Sequence, residues 1–340
     1  MKNIDLRSDT ITKPSKEMRQ AMFDAEVGDD VFSEDPTVNK LQEKCVEISG
    51  KEKALYVPSG CMANQLAVKA HTQPGDEVIC ESECHIFNYE TAAPAILSNV
   101  QMMTVRGEYG VMQLEEIKKF VRTKEYYFPR TRLICLENTH NRAGGVIQPI
   151  EVIKEISEFA KEIGIMMHMD GARIFNASIE TGISVKEYSS YFDSISFCFS
   201  KGLGAPVGSI LCGPADFIAV AHKWRKIIGG GMRQAGVIAA AALYALENNT
   251  KRLKEDNDKA KYFAKEISKI KEVSINLEKV HTNIVIFANS KYPKPELISK
   301  LKENGVLISA GSFENLRAVF HLDVTMEETE EAVRIFKTLF

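Results

Sequence analysis

The sequence predicts an α/β fold: a mostly parallel central sheet covered by helices, followed by a smaller C-terminal α+β domain. Between Lys53 and Gly213, short β-rich runs alternate with amphipathic stretches, and strands separated by helices imply crossover connections and parallel pairing. Beyond Gly231 the pattern changes, first to a long helix former and then to alternating strands and helices of the α+β kind. At 340 residues the chain exceeds the usual size of one domain, so a large unit over residues 1–248, with an N-terminal arm over 1–14, and a small unit over residues 249–340 is the natural division.

The elements follow in order. Asp35 and Pro36 open a helix as N-cap acceptor and first helical residue; Val38, Leu41, Cys45 and Ile48 form its apolar stripe, and Gly50 closes it. Six runs read as strands of the central sheet: Ala54–Val57, Glu77–Cys80, Leu133–Leu136, Ile165–Met169, Ser194–Phe199 and Ser209–Cys212. A long helix spans Ala239–Leu246, and the charge-rich run Lys251–Lys261 reads as the solvated face of the same or a following helix. The last part reads as strand Thr282–Phe287, helix Pro295–Asn304, strand Arg317–His321 and helix Thr325–Leu339. There is no internal repeat and no low-complexity tract.

Composition narrows the function. With 43 Lys plus Arg against 46 Asp plus Glu, the formal net charge is −3, which is not the basic footprint of a nucleic-acid binder; a small-molecule partner is expected. Seven cysteines, an odd number without the spacing of a disulfide scaffold, point to reduced thiols and a cytoplasmic location. No signal-peptide pattern opens the sequence, and no stretch approaches the roughly 18–20 apolar residues of a membrane span.

Three segments carry chemistry. The apolar strand ending in Met169-Asp170-Gly171-Ala172-Arg173 puts a carboxylate at a strand's C-terminal end, where open α/β sheets bind ligands; Asp170 reads equally well as a helix N-cap. One helix and one strand later, Phe199-Ser200-Lys201-Gly202 places a lysine at the next tip, on the same sheet edge. A lysine there is ordinarily just solvated. Together, however, a carboxylate and a lysine suit pyridoxal 5'-phosphate: the acid keeps the pyridine nitrogen protonated and the amine holds the aldehyde as an imine. Pro58-Ser59-Gly60-Cys61 then opens a helical run whose free N–H groups would attract a phosphate, with Gly60 allowing close approach; alone, Ser59 is a plain helix cap.

The chain resembles the low-specificity L-threonine aldolases of the β-eliminating lyase family, fold type I of the pyridoxal-phosphate enzymes. The likeness runs over nearly its whole length. It is carried by Asp5-Leu6-Arg7-Ser8-Asp9-Thr10 with Thr12-Lys13-Pro14, Gly28-Asp29-Asp30-Val31, Glu34-Asp35-Pro36-Thr37-Val38-Asn39, Pro58-Ser59-Gly60 and Met62-Ala63-Asn64-Gln65. It continues in Glu137-Asn138-Thr139-His140-Asn141, Asp170-Gly171-Ala172-Arg173, the run from Ser200 to Gly208, and Gly229-Gly230-Gly231-Met232-Arg233-Gln234.

The resemblance implies Lys201 as the Schiff-base lysine, Asp170 as partner of the pyridine nitrogen, and Ser59, Gly60 and Cys61 as the phosphate cradle. His85 would stack on the ring, and Arg173 would meet the phenolic oxygen or the substrate carboxylate. Ser8, Arg173 and Arg317 would hold that carboxylate, with Phe32 and Tyr89 beside the substrate; planar guanidinium forks suit carboxylates. His85 and His140 are the candidate acid–base groups. Lys226, Arg233 and the loop 229–231 would reach a neighbouring subunit's phosphate, so a homo-oligomer, a dimer of dimers, is expected. Phe32 and Ser33 stand where the family usually has tyrosine and glycine, and Cys61 where it has threonine. Cys80, Cys84 and His85 lack the second ligand pair of a closed zinc site, so no metal is expected. The implied reaction is retro-aldol cleavage of threonine or allo-threonine to glycine and acetaldehyde. A β-eliminating lyase or aminotransferase would use the same scaffold, and a non-catalytic cofactor-binding regulator would keep the ring site; a nicotinamide dehydrogenase lacks its Gly-x-Gly-x-x-Gly.

Overall fold

A computed structural model describes residues 3–340. Its centre is a seven-stranded sheet built from β2 (Lys53–Val57), β3 (Glu77–Glu81), β4 (Gln101–Val105), β5 (Thr131–Glu137), β6 (Met166–Asp170), β7 (Ser194–Cys198) and β8 (Ser209–Gly213), in the order β2-β8-β7-β6-β5-β3-β4. Six strands lie on the predicted runs. The seventh, β4, has no counterpart among them: it is an edge strand, largely half-exposed, and so needs no continuous apolar run. The pairs from β7 through β4 are parallel, whereas β8 runs antiparallel to both β2 and β7. No helix separates Cys198 from Ser209, and without a crossover the chain can only return antiparallel.

Helices cover the sheet because each buries one stripe. The helix Ile150–Ile163 buries Ile153, Ile156 and Ala160, and Pro36–Ser49 buries Val38, Leu41 and Cys45; each fully buried Ile or Leu stabilises by roughly 1.5–3 kcal/mol. Asp35 caps the second helix through Val38 N at 3.0 Å, and its other oxygen accepts Gly236 N at 2.8 Å and Gly28 N at 3.2 Å. One carboxylate thus joins three segments, and Gly50 ends the helix at φ 67°.

The charge-rich run forms a separate helix, Leu253–Ile267, and part of it is not solvated. Asp256, Asn257 and Lys259 are buried. Asp256 pairs with Arg252 at 2.5 Å and Lys259 at 2.9 Å, and Lys259 donates to the carbonyls of His321 and Val324 at 2.9 and 2.6 Å. Charges on one helix face can be buried when each finds a partner, so a run of charge does not by itself identify a solvent face.

The C-terminal part forms an antiparallel sheet of β9 (Val273–Ser274), β10 (Ile284–Asn289), β12 (Ser309–Ala310) and β13 (Leu316–Val319), backed by Lys294–Glu303 and Met326–Leu339. The latter helix starts with a capping box between Thr325 and Glu328. The N-terminal arm joins this end of the chain: β1 (Ile4–Asp5) pairs in parallel with β11 (Val306–Leu307), and Val319 N donates to Leu6 O at 2.8 Å. Ile4 and Leu6 belong to the same apolar cluster as Phe263, Phe287 and Phe336. Met1 and Lys2 of the predicted arm lie outside the described residues.

Candidate active site

The C-terminal ends of β5, β6 and β7 meet the N-terminal arm and β13 around a cavity of about 400 Å³ lined by Ser8, His85, Tyr89, Arg173, Lys201 and Arg317, with Asn141 and Arg142 at its side. Asp170 closes β6 beside Ser196 of β7, and Gly171 N donates to Ser196 O at 2.8 Å. The two tips therefore lie on one sheet edge. Lys201 Nζ makes no hydrogen bond or ion pair among the described residues.

Asp170 is 8% exposed. Burial pushes its carboxyl up, but the Lys201 ammonium, His85 and the Asn64 donor outweigh it and hold the acid below its ordinary value. Asn64 Nδ2 donates to Asp170 Oδ2 at 2.7 Å, while Asn64 Oδ1 accepts Ser196 Oγ at 3.0 Å. Behind them His168 and His71 share Ser194 Oγ at 2.9 and 2.7 Å. Burial drives both histidines down, to about 4 and about 3, so this layer is neutral. Asp170 also accepts Ala172 N at 3.1 Å, so the capping role and the site role coexist.

The guanidinium groups divide their work. Arg173 is held by Asp9 in a two-pronged pair, Nε to Oδ2 at 2.6 Å and Nη2 to Oδ1 at 2.7 Å, with side chains 4% and 0% exposed. Burial raises the Asp9 carboxyl, but Arg173, Lys201 and Arg317 hold it well below the usual range. Arg317 has no carboxylate partner among the described residues: Nη2 donates to Asn141 Oδ1 at 2.9 Å and Nη1 to Arg7 O at 3.3 Å, while Nε is unbonded. Burial, then the Arg173 charge, lowers it to about 10. A half-buried cation that lines a cavity and has no carboxylate partner among the described residues is a receptor for an anion. Ser8 caps the short turn Asp9–Ile11 and lines the same cavity, its Oγ 2.8 Å from Thr10 Oγ1.

His85 begins a short helix in which Tyr89 packs 5.5 Å from its ring. Its backbone N–H donates to Glu137 Oε2 at 2.7 Å, and Asn141 N donates to Glu137 Oε1 at 2.8 Å, so one acid at the end of β5 positions two cavity residues. Burial lowers the basicity of His85, but the Glu90 hydrogen bond and the Asp170 charge raise it above the ordinary value. His140 is not brought to the cavity. It is fully buried, Nε2 lies 2.9 Å from Glu81 Oε2, and Nδ1 accepts Ala143 N at 3.2 Å. Against burial, Glu137 and Glu81 raise its basicity, yet the N–H on Nδ1 needs a ring unprotonated there. Both nitrogens are engaged in shaping the loop, and Gly110, at φ 79°, leaves no room for a Cβ beside the ring.

At the other end Ser59 caps the helix Gly60–His71 by accepting Met62 N at 3.2 Å. The N–H groups of Gly60 and Cys61 have no intrahelical acceptor. Packing alone already calls for glycine at 60, since a Cβ there would come within 2.8 Å of Cys198 Sγ. The Cys61 thiol, pushed up to about 11 by burial, then by Glu90 and Asp170, stays protonated. Its sulfur, the His85 ring and Glu90 lie within 4.8 Å of one another, whereas Cys80 and Cys84 are buried in a separate apolar cluster. Lys226, Arg233 and Phe32 do not line the cavity of their own chain. Arg233 pairs with Asp29 at 2.8 Å, Phe32 is 68% exposed, and Ser33 adopts φ 60°.

These residues fit pyridoxal phosphate: an unpartnered lysine, a buried carboxylate held in the ionised form, and open N–H groups at a helix start. The sequence reading assigned no role to Asp9, Asn64, Glu90 or Asn141. Three of these lie inside the quoted motifs, and the signal was that each is a short polar residue in an otherwise patterned segment; Glu90 carried no signal.

Residues 5–290 match the beta-eliminating lyase family. The chain is 42% identical to low-specificity L-threonine aldolase 1 of Arabidopsis thaliana, covering 99% of this chain and 96% of that protein. It is also 42% identical to the low specificity L-threonine aldolase of Escherichia coli, covering 96% of each. Among solved structures, a threonine aldolase of Leishmania major superposes with a TM-score of 0.85 at 16% identity over 99% of both chains. A serine palmitoyltransferase of Sphingomonas wittichii superposes at 0.78 and 18% identity, over 99% of this chain and 86% of that one. At those identities the structures speak for the fold.

Proposed function

The chain belongs to the β-eliminating lyase family, and from that membership and the geometry of its cavity we infer a low-specificity L-threonine aldolase that cleaves threonine or allo-threonine to glycine and acetaldehyde. The observation that carries this is that Lys201, whose Nζ has no partner among the described residues, shares one cavity with Arg317, a half-buried cation without a carboxylate partner among them. An α-amino acid offers the matching carboxylate.

Pyridoxal phosphate would be held by Lys201, Asp170, His85 and the helix start at Ser59, Gly60 and Cys61; when bound, it supplies an electron-withdrawing ring that takes the electron pair freed at the α-carbon. Arg317 fixes the substrate carboxylate through its guanidinium fork. Asn141, bonded to Arg317 at 2.9 Å and 3.5 Å from Arg173 Nη1, keeps the two guanidinium groups aligned. Arg173 is largely neutralised by Asp9 and acts as a rigid floor, with Nη1 left for the substrate or the cofactor. Ser8 adds a hydroxyl. His85 Nε2, without a partner among the described residues, accepts the β-hydroxyl proton. Tyr89, 51% exposed at the cavity mouth, bounds the space for the aldehyde part.

Lys226, Arg233 and the loop 229–231 serve a neighbouring subunit's site in a dimer of dimers, a reading that rests on the family likeness. The seven free cysteines support a cytoplasmic location, and among the described residues no helix is long and apolar enough to cross a membrane. Two apolar clusters, one running from Met18 to Leu253 and the other from Ala260 onward, support a division near residue 248, although Ile4 and Leu6 of the N-terminal arm pack with the second.

The test is product analysis with added cofactor, together with borohydride reduction and peptide mapping. Glycine and acetaldehyde from threonine, with the reduced label on Lys201, are expected. Ammonia and a keto acid, or a label elsewhere, would overturn the reading. Sedimentation showing an active monomer would refute the shared site.

A further inference from the structure

We propose that Glu90 is a positioning residue that fixes His85 in its Nδ1–H tautomer and couples that ring to Asp170 through Asn64. The assignment deepens the aldolase reading and depends on it only for what His85 does to substrate.

Glu90 is 4% exposed, its side chain wholly buried. Its Oε1 accepts from His85 Nδ1 at 2.9 Å and from Asn64 Nδ2 at 2.8 Å, and its Oε2 accepts from Gln65 Nε2 at 2.5 Å. A carboxylate has no proton to give, so the proton in the His85 contact sits on Nδ1. The lone pair is then on Nε2, the nitrogen left free in the cavity. Asn64 cannot flip: its two N–H groups go to Asp170 Oδ2 and Glu90 Oε1, while its oxygen accepts Ser196 Oγ. Turning the amide would put that oxygen against two carboxylates. Asp170, Asn64, Glu90 and His85 therefore form one continuous chain, buried up to the half-buried His85 ring, and in such surroundings each link is stronger than it would be in water.

Removing the Glu90 charge leaves the ring free to carry its proton on Nε2, where it can no longer accept one. The other charged or titratable groups facing His85 are Asp170, Lys201, Cys61 and Tyr89, with Glu137 on its backbone N–H. None of these accepts from Nδ1, so none substitutes for Glu90.

The experiment uses the holoenzyme and the variant Glu90→Gln. Orienting partners of this kind are worth about 10–100-fold, so kcat for threonine cleavage falls by that factor with KM held within about threefold. The acid limb of kcat/KM moves to lower pH, because a carboxylate that favoured protonated His85 is gone. The pH titration of the bound cofactor's visible absorbance shifts with it. Independently, 15N NMR of histidine-labelled wild-type protein, with His85→Gln used for assignment, reads the tautomer and does not depend on Glu90→Gln folding. An Nε2–H tautomer in the wild type, or a variant with unchanged kcat and acid limb, would overturn the proposal. Wild-type protein that yields no acetaldehyde sinks the aldolase reading instead, and the tautomer measurement still decides Glu90.

Discussion

Replacing Asp9 with Asn isolates the buried pair that the cavity is built on. The Asp9 and Arg173 side chains are 0% and 4% exposed, so no discount for solvent screening applies. Asn keeps the volume but removes the charge, leaving Arg173 buried beside a second cation, Arg317, with only neutral acceptors, the new amide oxygen and Asn141 Oδ1 at 3.5 Å. Breaking one side of such a pair costs about 3–5 kcal/mol. With about 2.1 cal/mol/K of unfolding entropy per residue, a chain of 340 residues changes by roughly 0.7 kcal/mol per degree, so Tm should fall by about 4–7 °C. The pH dependence has a definite sign. Asp9's folded pKa is depressed, so its contribution is complete above the unfolded value of about 4 and is lost as pH falls below it. Asp9→Asn should therefore lose most stability near neutrality and converge on wild type in acid. Thermal unfolding at fixed saturating cofactor, from about pH 3 to 8, measures this. A Tm within about 1 °C of wild type at pH 7, or a difference between the two proteins that does not shrink in acid, would refute the reasoning.

Other outcomes follow from the same geometry. Arg317→Gln removes a charge-assisted fork worth about 1.5–3 kcal/mol, so KM for threonine should rise about ten- to a hundredfold in steady-state assays; an unchanged KM would remove Arg317 from substrate binding. Because burial lowers Arg317 to about 10, kcat/KM should decline as pH rises through that value, and Arg317→Gln should lack that step. His140→Gln should lower Tm while leaving kcat within about threefold, because the ring braces a loop, whereas His85→Gln should lower kcat by about 10²-fold or more; equal losses of kcat would return His140 to the reaction. Ser33→Gly should raise stability by about 0.5–1 kcal/mol in denaturant titrations, since Ser33 sits at φ 60°, a region glycine enters without steric strain.

The readings the structure reproduces rest on near neighbours in the chain. Asp35, Pro36 and Gly50 bound a helix because a cap, a first-turn proline and a left-handed stop act over a few residues. Six central strands declared themselves because two covered faces leave little but apolar side chains. β4 did not, since an edge strand tolerates Gln101 and half-exposed methionines. The charge-rich run was legible only in part for the converse reason: Lys254, Glu255 and Asp258 are exposed, whereas Asp256 and Lys259 pair inside the fold, and composition cannot tell a solvated charge from a compensated one.

The site divides along the same line. Asp170 and Lys201 were legible because each ends a recognisable strand or follows one, and alternation of strand and helix puts parallel tips on one edge. Nothing local, however, says that Asp9 will meet Arg173, 164 positions away, that Glu90 will hold His85, or that His140 will turn inward to Glu81. Such partners are chosen when the sheet closes and buried charges must find counter-charges or donors. By itself the sequence determined which segments form the central strands and which strand tips share one sheet edge; only the tertiary structure decided which arginine is left without a carboxylate partner among the described residues and which histidine lines the cavity, because burial and pairing depend on residues far apart in the chain.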